Sequence, residues 1–208
     1  MVFQNTPVGQ HRLSLTDPST PTLSSHKAPV LFDIFSGTGS FGSVMAAEYG
    51  WTVYSIDICP KSAKRSKGVC ADVTTFDWSQ WPTTCDLLVL TPPCTPWSNA
   101  TPRTRRLSSE MVTLGKLCQF AVSLISRFRP RGFIFENPRY TSLAKQKYMK
   151  PFKFEYFDMC RYNRPYMKSS VMWHSDSISL KLKTCICTGP HKVKLGRNYG
   201  GIPGRKRW

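Results

Sequence analysis

Pro29-Val30-Leu31-Phe32-Asp33-Ile34-Phe35-Ser36-Gly37-Thr38-Gly39-Ser40-Phe41-Gly42 decides the fold. The segment from Pro29 to Phe35 reads as an apolar strand and runs straight into glycines at G-x-G-x-x-G spacing. Glycines so placed allow a tight strand-to-helix turn and let a ligand approach backbone amides closely. Ser43 to Tyr49 reads as the helix, closed by Gly50, and Trp51 to Ile56 as a second strand ending at Asp57. Asp57 lies 20 residues after Gly37, where an acid at a strand tip can accept both hydroxyls of a ribose. The unit therefore predicts a nucleoside ligand, without separating NAD from S-adenosylmethionine.

Working outward, Lys61 to Lys67 reads as a solvated basic helix face, and Val69 to Val73 as a short third strand and loop. Asp72 there is placed either to meet an adenine amino group or to cap a turn. Asp86 to Leu90 reads as a buried strand that ends in Thr91-Pro92-Pro93-Cys94-Thr95-Pro96-Trp97-Ser98. Prolines cannot continue a central ladder, so the chain leaves the sheet at its carboxyl edge, where open α/β sheets bind ligands. Cys94 on that braced loop is a candidate nucleophile; the competing reading is a small buried hydrophobe. Arg103, Arg105 and Arg106 follow closely, as phosphate contacts or as an ordinary solvated cluster.

Met111 to Phe128 carries apolar residues at helical spacing, with Cys118 on the packed face. Gly132 to Phe135 reads as the next strand and finishes in Glu136-Asn137-Pro138, repeating the geometry of the cysteine loop. In a doubly wound sheet the two tips converge. Val171 to Trp173 and Ser177 to Leu182 are expected to be the closing strands. The expected fold class is α/β with a mostly parallel, doubly wound sheet.

Lys and Arg number 29 against 12 Asp and Glu, giving +17 and a pI near 9.8. That excess favours a polyanion, nucleic acid first, over a membrane surface, because no clean amphipathic basic helix is present. No apolar run is long enough to span a membrane, and no signal-peptide hydrophobic region opens the chain. Eight cysteines, most of them within apolar or catalytic-looking segments, suggest an intracellular, reducing compartment, nucleus and phage or viral host cytoplasm being indistinguishable. Three parts are expected: a disordered or loosely docked arm (1–28), a catalytic domain (29–183) and a basic Cys/His-containing tail (184–208). In the tail, Cys185-x-Cys187 precedes His191; with Cys160 these could form a small zinc knuckle, or stay unligated thiols.

Together these residues resemble the DNA cytosine-5 methyltransferase family, especially its small single-domain phage, viral and protist forms. The resemblance is carried in family order by Asp33-Ile34-Phe35-Ser36-Gly37-Thr38-Gly39, Asp57, Asp72, the Pro92-Pro93-Cys94 loop with Trp97-Ser98, and Glu136-Asn137-Pro138, over roughly residues 30 to 175. It implies a Rossmann-like fold that binds S-adenosylmethionine through Asp33, Phe35, Ser36, Gly37, Thr38, Gly39, Asp57, Ile58, Asp72, Val73 and Pro92. It implies attack of Cys94 on cytosine C6, assisted by Glu136 at the N3 edge, on a base flipped or single-stranded. DNA is the favoured substrate over RNA, with Ser98, Arg103, Arg105, Arg106, Asn137 and Lys168 on the nucleic-acid side.

Two features depart from the family. Its arginine pair is replaced around Pro165 to Val171, where Lys168 is the remaining cation, and 37 residues after Val171 leave no room for a long recognition domain. Low sequence specificity, or specificity supplied by a protein partner, is therefore expected. A catalytically silent nucleic-acid-binding protein of the same fold is the competing reading, and an RNA enzyme a third.

Overall fold

The computed structural model describes residues 27–98, 101–106, 108–162, 164, 166 and 168–188. Nearly all of the expected arm, and the tail from residue 189 with His191, lie outside the described residues. Seven strands form one sheet: β1 (Val30–Ile34), β2 (Thr52–Asp57), β3 (Val69–Cys70), β4 (Leu87–Leu90), β5 (Gly132–Pro138), β6 (Lys153–Asp158) and β7 (Ser169–His174). Their order is β3-β2-β1-β4-β5-β7-β6. The first five run parallel, and β7 lies antiparallel between β5 and β6. The helices are α1 (Ser40–Tyr49), α2 (Pro60–Ser66), α3 (Arg103–Arg106) and α4 (Ser109–Phe128).

The period of two along the central strands explains why helices cover both faces. Phe32, Ile34, Leu88, Leu90, Phe133 and Phe135 pack with Cys118, Ala121, Leu124 and Phe128 of α4. Leu31, Val89 and Ile134 point the other way, onto Phe41 and Met45 of α1. Ser108 caps α4, its hydroxyl accepting from the Met111 N–H at 3.3 Å, and Arg129 ends the helix in a left-handed conformation.

The chain reverses direction across the sheet between β1 and β4, so ligands are expected outside their carboxyl ends. Hydrogen bonds tie the two tips together: the Thr91 N–H donates to the Ile34 carbonyl (3.3 Å) and the Thr91 hydroxyl to the Phe35 carbonyl (2.9 Å).

One expected strand is corrected. Ser177 to Leu182 forms no strand; Ile178 instead packs beside the start of β5, and the Ser177 hydroxyl donates to the Arg131 carbonyl at 2.6 Å. The edge strand is Lys153–Asp158, which pairs with β7 along its whole length. The third strand is confined to Val69–Cys70, because Asp72 opens a turn by accepting from the Thr74 N–H and hydroxyl, both at 2.8 Å.

The glycine turn allows a direct test. Gly39 has φ +71, and a Cβ there would sit 2.6 Å from the Ser66 Cα of α2. Gly50 has a similar φ of +68 but open space around it. Gly50→Ala should therefore cost about 1 kcal/mol in urea unfolding, the left-handed penalty alone. Gly39→Ala should cost at least about 2 kcal/mol, since α2 must also move.

Candidate active site

Cys94 opens a tight turn at the end of β4, its carbonyl accepting from the Trp97 and Ser98 N–H groups at 3.0 and 2.9 Å. Thr101 closes the loop by donating its hydroxyl to the Thr95 carbonyl at 2.6 Å. The Trp97 indole N–H donates to Cys118 Sγ at 3.1 Å, and that thiol reaches the Pro93 carbonyl at 3.9 Å. Burial, opposed by the Trp97 bond and reinforced by Cys94, pushes the Cys118 thiol up to about 12, so it keeps its proton as a donor. Cys118 packs as expected and also braces the Pro-Pro-Cys loop against α4. Gly115, one turn earlier, leaves the space that Trp97 fills.

At the tip of β5, Asn137 is 0% exposed and donates from Nδ2 to the Pro92 carbonyl at 3.4 Å. The sequence reading put it on the nucleic-acid side; here it lies beneath the loop and fixes it. Glu136, one residue earlier, points to the opposite side of the strand and stays partly open. Its Oε1 lies 3.5 Å from Lys168 Nζ. Cys94 is half-buried, and burial pushes its thiol up; the Lys168 ammonium pulls it down and the Glu136 carboxylate pushes it up. The three side chains thus share one electrostatic neighbourhood, although 42 residues separate Cys94 from Glu136 in the chain.

The neighbouring tip of β1 forms a cradle. Phe35, Gly37 and Gly39 all have positive φ, and the Gly39 N–H donates to the Ser36 carbonyl at 2.8 Å. Asp57 accepts the Gly37 N–H on one carboxylate oxygen and the Cys59 N–H on the other, both at 2.8 Å. A Cβ on Gly37 would meet the Phe35 carbonyl at 4.0 Å and nothing nearer, so this face is open to a ligand. Ile58 is 68% exposed beside it, an apolar surface for a flat ring. Ser36 is buried with its hydroxyl 3.3 Å from that of Ser66, and the Thr38 hydroxyl lies 2.9 Å from that of Ser40. Val73 is buried in the core cluster.

The family model for C-5 cytosine-specific DNA methylases matches residues 30–166, about two thirds of the sequence. The chain belongs to the C-5 cytosine-specific DNA methylase family. No curated protein sequence matches it. Among solved structures it is similar to a protein described as a DNA modification methyltransferase encoded within an E. coli prophage (TM-score 0.52, 18% identity), covering 71% of this chain and 46% of that one. It is also similar to the Entamoeba histolytica methyltransferase EhMeth (TM-score 0.51, 15% identity), covering 76% and 58%. These likenesses establish the fold, and the chain spans about half the length of those two proteins.

Not every expected site residue gathers at the two strand tips. Arg105 is exposed on α3, and the side chains of Arg103 and Arg106 lie outside the description. Ser98 bridges to Thr141, which ties the loop to the segment after β5. Cys160, Cys185 and Cys187 come together, their Sγ atoms within 4.8 Å of one another, while the expected fourth member, His191, lies outside the described residues. No helix among the described residues is long and apolar enough to cross a membrane.

Asp33 carries a pH signature. It is buried, accepts the Gly42 N–H at 3.2 Å, and burial first, then the Asp57 charge, lift its carboxyl from 3.8 to about 7 against the Gly42 bond. The folded protein therefore holds a proton here that the unfolded chain has lost, and stability falls as pH rises from about 4 to 7. Asp33→Asn keeps an acceptor for Gly42 and removes the titration. Urea midpoints should show the native protein losing about 2 kcal/mol or more from this group between pH 5 and 8, and the variant losing less.

Proposed function

We propose that this protein transfers a methyl group from S-adenosylmethionine to C5 of cytosine in DNA, through a covalent bond between Cys94 and C6. The observation that carries the reading is the meeting of Cys94, Glu136 and Lys168 at adjoining strand tips beside an open glycine cradle. The family's activity and the name of the prophage-encoded neighbour support DNA as the substrate.

The cradle residues fit the cofactor: Gly37 leaves room along the backbone, Asp57 would accept the ribose hydroxyls and exposed Ile58 would pack on the adenine ring. Bound S-adenosylmethionine supplies an electrophilic methyl group at the same edge as Cys94. Cytosine C5 is too weak a nucleophile to take it unaided. The Cys94 thiolate adds its electron pair to C6, while Glu136 delivers a proton at N3, so the ring electrons accumulate at C5. Once C5 is substituted, N3 returns its proton to Glu136, the C5 proton departs to a base and the C6–S bond breaks, returning the electron pair to Cys94. Lys168 steadies the thiolate and, once the proton has passed to N3, the Glu136 carboxylate. The cytosine must leave its stack to reach this pocket, so it is flipped out or presented in a single strand.

Methyl-labelled cofactor, full-length protein and DNA or RNA of mixed sequence form the test. After hydrolysis to nucleosides, label in 5-methyldeoxycytidine is the expected result. Label on an exocyclic amine, or on RNA alone, contradicts the proposal.

A further inference from the structure

Outside the methylase pocket, the cluster with the most chemical potential is the set of three cysteines at the end of β6. Cys160 lies in the turn after β6, 25 residues before Cys185, and folding brings its sulfur to those of Cys185 and Cys187. Tetrahedral zinc binds thiolates at about 2.3 Å, so sulfurs on one ion lie roughly 3.8 Å apart, a spacing this cluster reaches with small side-chain rotations. The backbone is already arranged for it. Asp158 accepts the Cys185 N–H at 2.7 Å and the Ser169 hydroxyl on its other oxygen. The Asp158 N–H donates to the Lys183 carbonyl at 3.0 Å, and the Lys183 N–H to the Tyr162 hydroxyl oxygen at 3.1 Å. The Cys187 N–H donates to Cys185 Sγ at 3.4 Å, a contact that favours the thiolate form a metal needs.

We propose that Cys160, Cys185 and Cys187 ligate a structural zinc ion that clamps the 183–188 segment onto the end of β6. Three soft thiolates select zinc over hard cations such as magnesium or calcium. Each thiol gives up its proton on binding and donates an electron pair to the metal. The clamp also bears on the pocket, because the Met159 N–H donates to the Lys168 carbonyl at 3.1 Å and Asp158 holds Ser169, the next residue. Zinc here would steady the backbone that presents Lys168 to Glu136. The inference stands on the cysteine geometry and does not need the methyl-transfer reading.

Full-length protein expressed in zinc-supplemented medium and purified without chelators is assayed for metal by mass spectrometry. About one zinc per chain is expected, and the Cys185→Ser/Cys187→Ser variant should hold less than a tenth of that. Replacement by cobalt should give a thiolate-to-metal charge-transfer band and the visible bands of a tetrahedral site. Chelator treatment of the unmutated protein should increase amide exchange in residues 183–188, reversibly on adding zinc, which guards against a variant that simply fails to fold. Metal-free wild-type protein with a disulfide within the trio, or zinc retained by the double variant, overturns the proposal.

Discussion

Cys94→Ser is expected to lower methyl transfer by about three to six orders of magnitude while leaving the thermal midpoint almost unchanged. The size of the loss follows from the chemistry. A serine hydroxyl holds its proton far more tightly than a thiol, so the electron pair that must add to C6 is withheld. Stability should survive because the side chain is half-buried and the exchange nearly isosteric. The pH profile supplies a second reading of the same residue. Burial raises the thiol, so the rate of adduct formation should climb as pH rises through neutrality. Lys168 acts in the other direction, favouring the thiolate. Lys168→Met should therefore shift the profile to higher pH and slow the reaction at pH 7, with a smaller effect at pH 9. A profile for Lys168→Met that overlays the unmutated one would show that the cation does not act on Cys94.

Glu136→Gln is the second large effect expected, a fall of about 10² to 10⁴ in single-turnover rate. Glutamine keeps the length and an acceptor oxygen but cannot move a proton to N3. It also removes the contact with Lys168, a partly exposed pair whose loss costs stability little. Rate and stability thus separate the two roles. A merely structural Glu136 would show a changed unfolding midpoint and an unchanged rate; the proposed role requires the reverse. DNA affinity measured alongside should change far less than the rate, because the proton matters in the transition state rather than in the bound state.

The strands that carry the site were legible because both their faces are buried. Val30–Ile34 and Leu87–Leu90 are largely apolar runs that stop within a few residues of a glycine or proline turn, whereas the Phe133–Phe135 run lies inside a strand that continues through Glu136 and Asn137 to Pro138. The closing edge was harder. Lys153-Phe-Glu-Tyr-Phe-Asp158 mixes charge and aromatic on an edge strand with one covered flank, whereas Ser177 to Leu182 alternates cleanly but has no partner among the described residues. Alternation describes how a strand would bury its side chains and is silent about whether a neighbour with free backbone groups is there. Turn chemistry decided Asp72, whose carboxylate is occupied in part by Thr74.

Cys94 and Glu136 were visible as residues placed just past apolar runs. The parts that hold them were not. Asn137 reads as a polar group at a strand tip, yet it is fully buried because the proline loop folds over it and its carbonyl needs a donor. Cys118 reads as helix packing, and its bond to Trp97 depends on a helix-to-loop contact that local periodicity does not encode. Lys168 stands as a lone cation in its segment, and the pairing with Glu136 appears only when β7 is laid against β5.

The most direct measurement of the central claim is to incubate the full-length protein with S-adenosylmethionine and an oligonucleotide containing 5-fluorocytosine, then denature and map any crosslink. Fluorine cannot leave as a cation, so an enzyme that adds sulfur to C6 is trapped on the base. A covalent species whose peptide map places the link on Cys94, absent from Cys94→Ser, is the predicted result. Failure of the unmutated protein to form any adduct on DNA while it binds the cofactor, or a crosslink on another residue, would contradict the account.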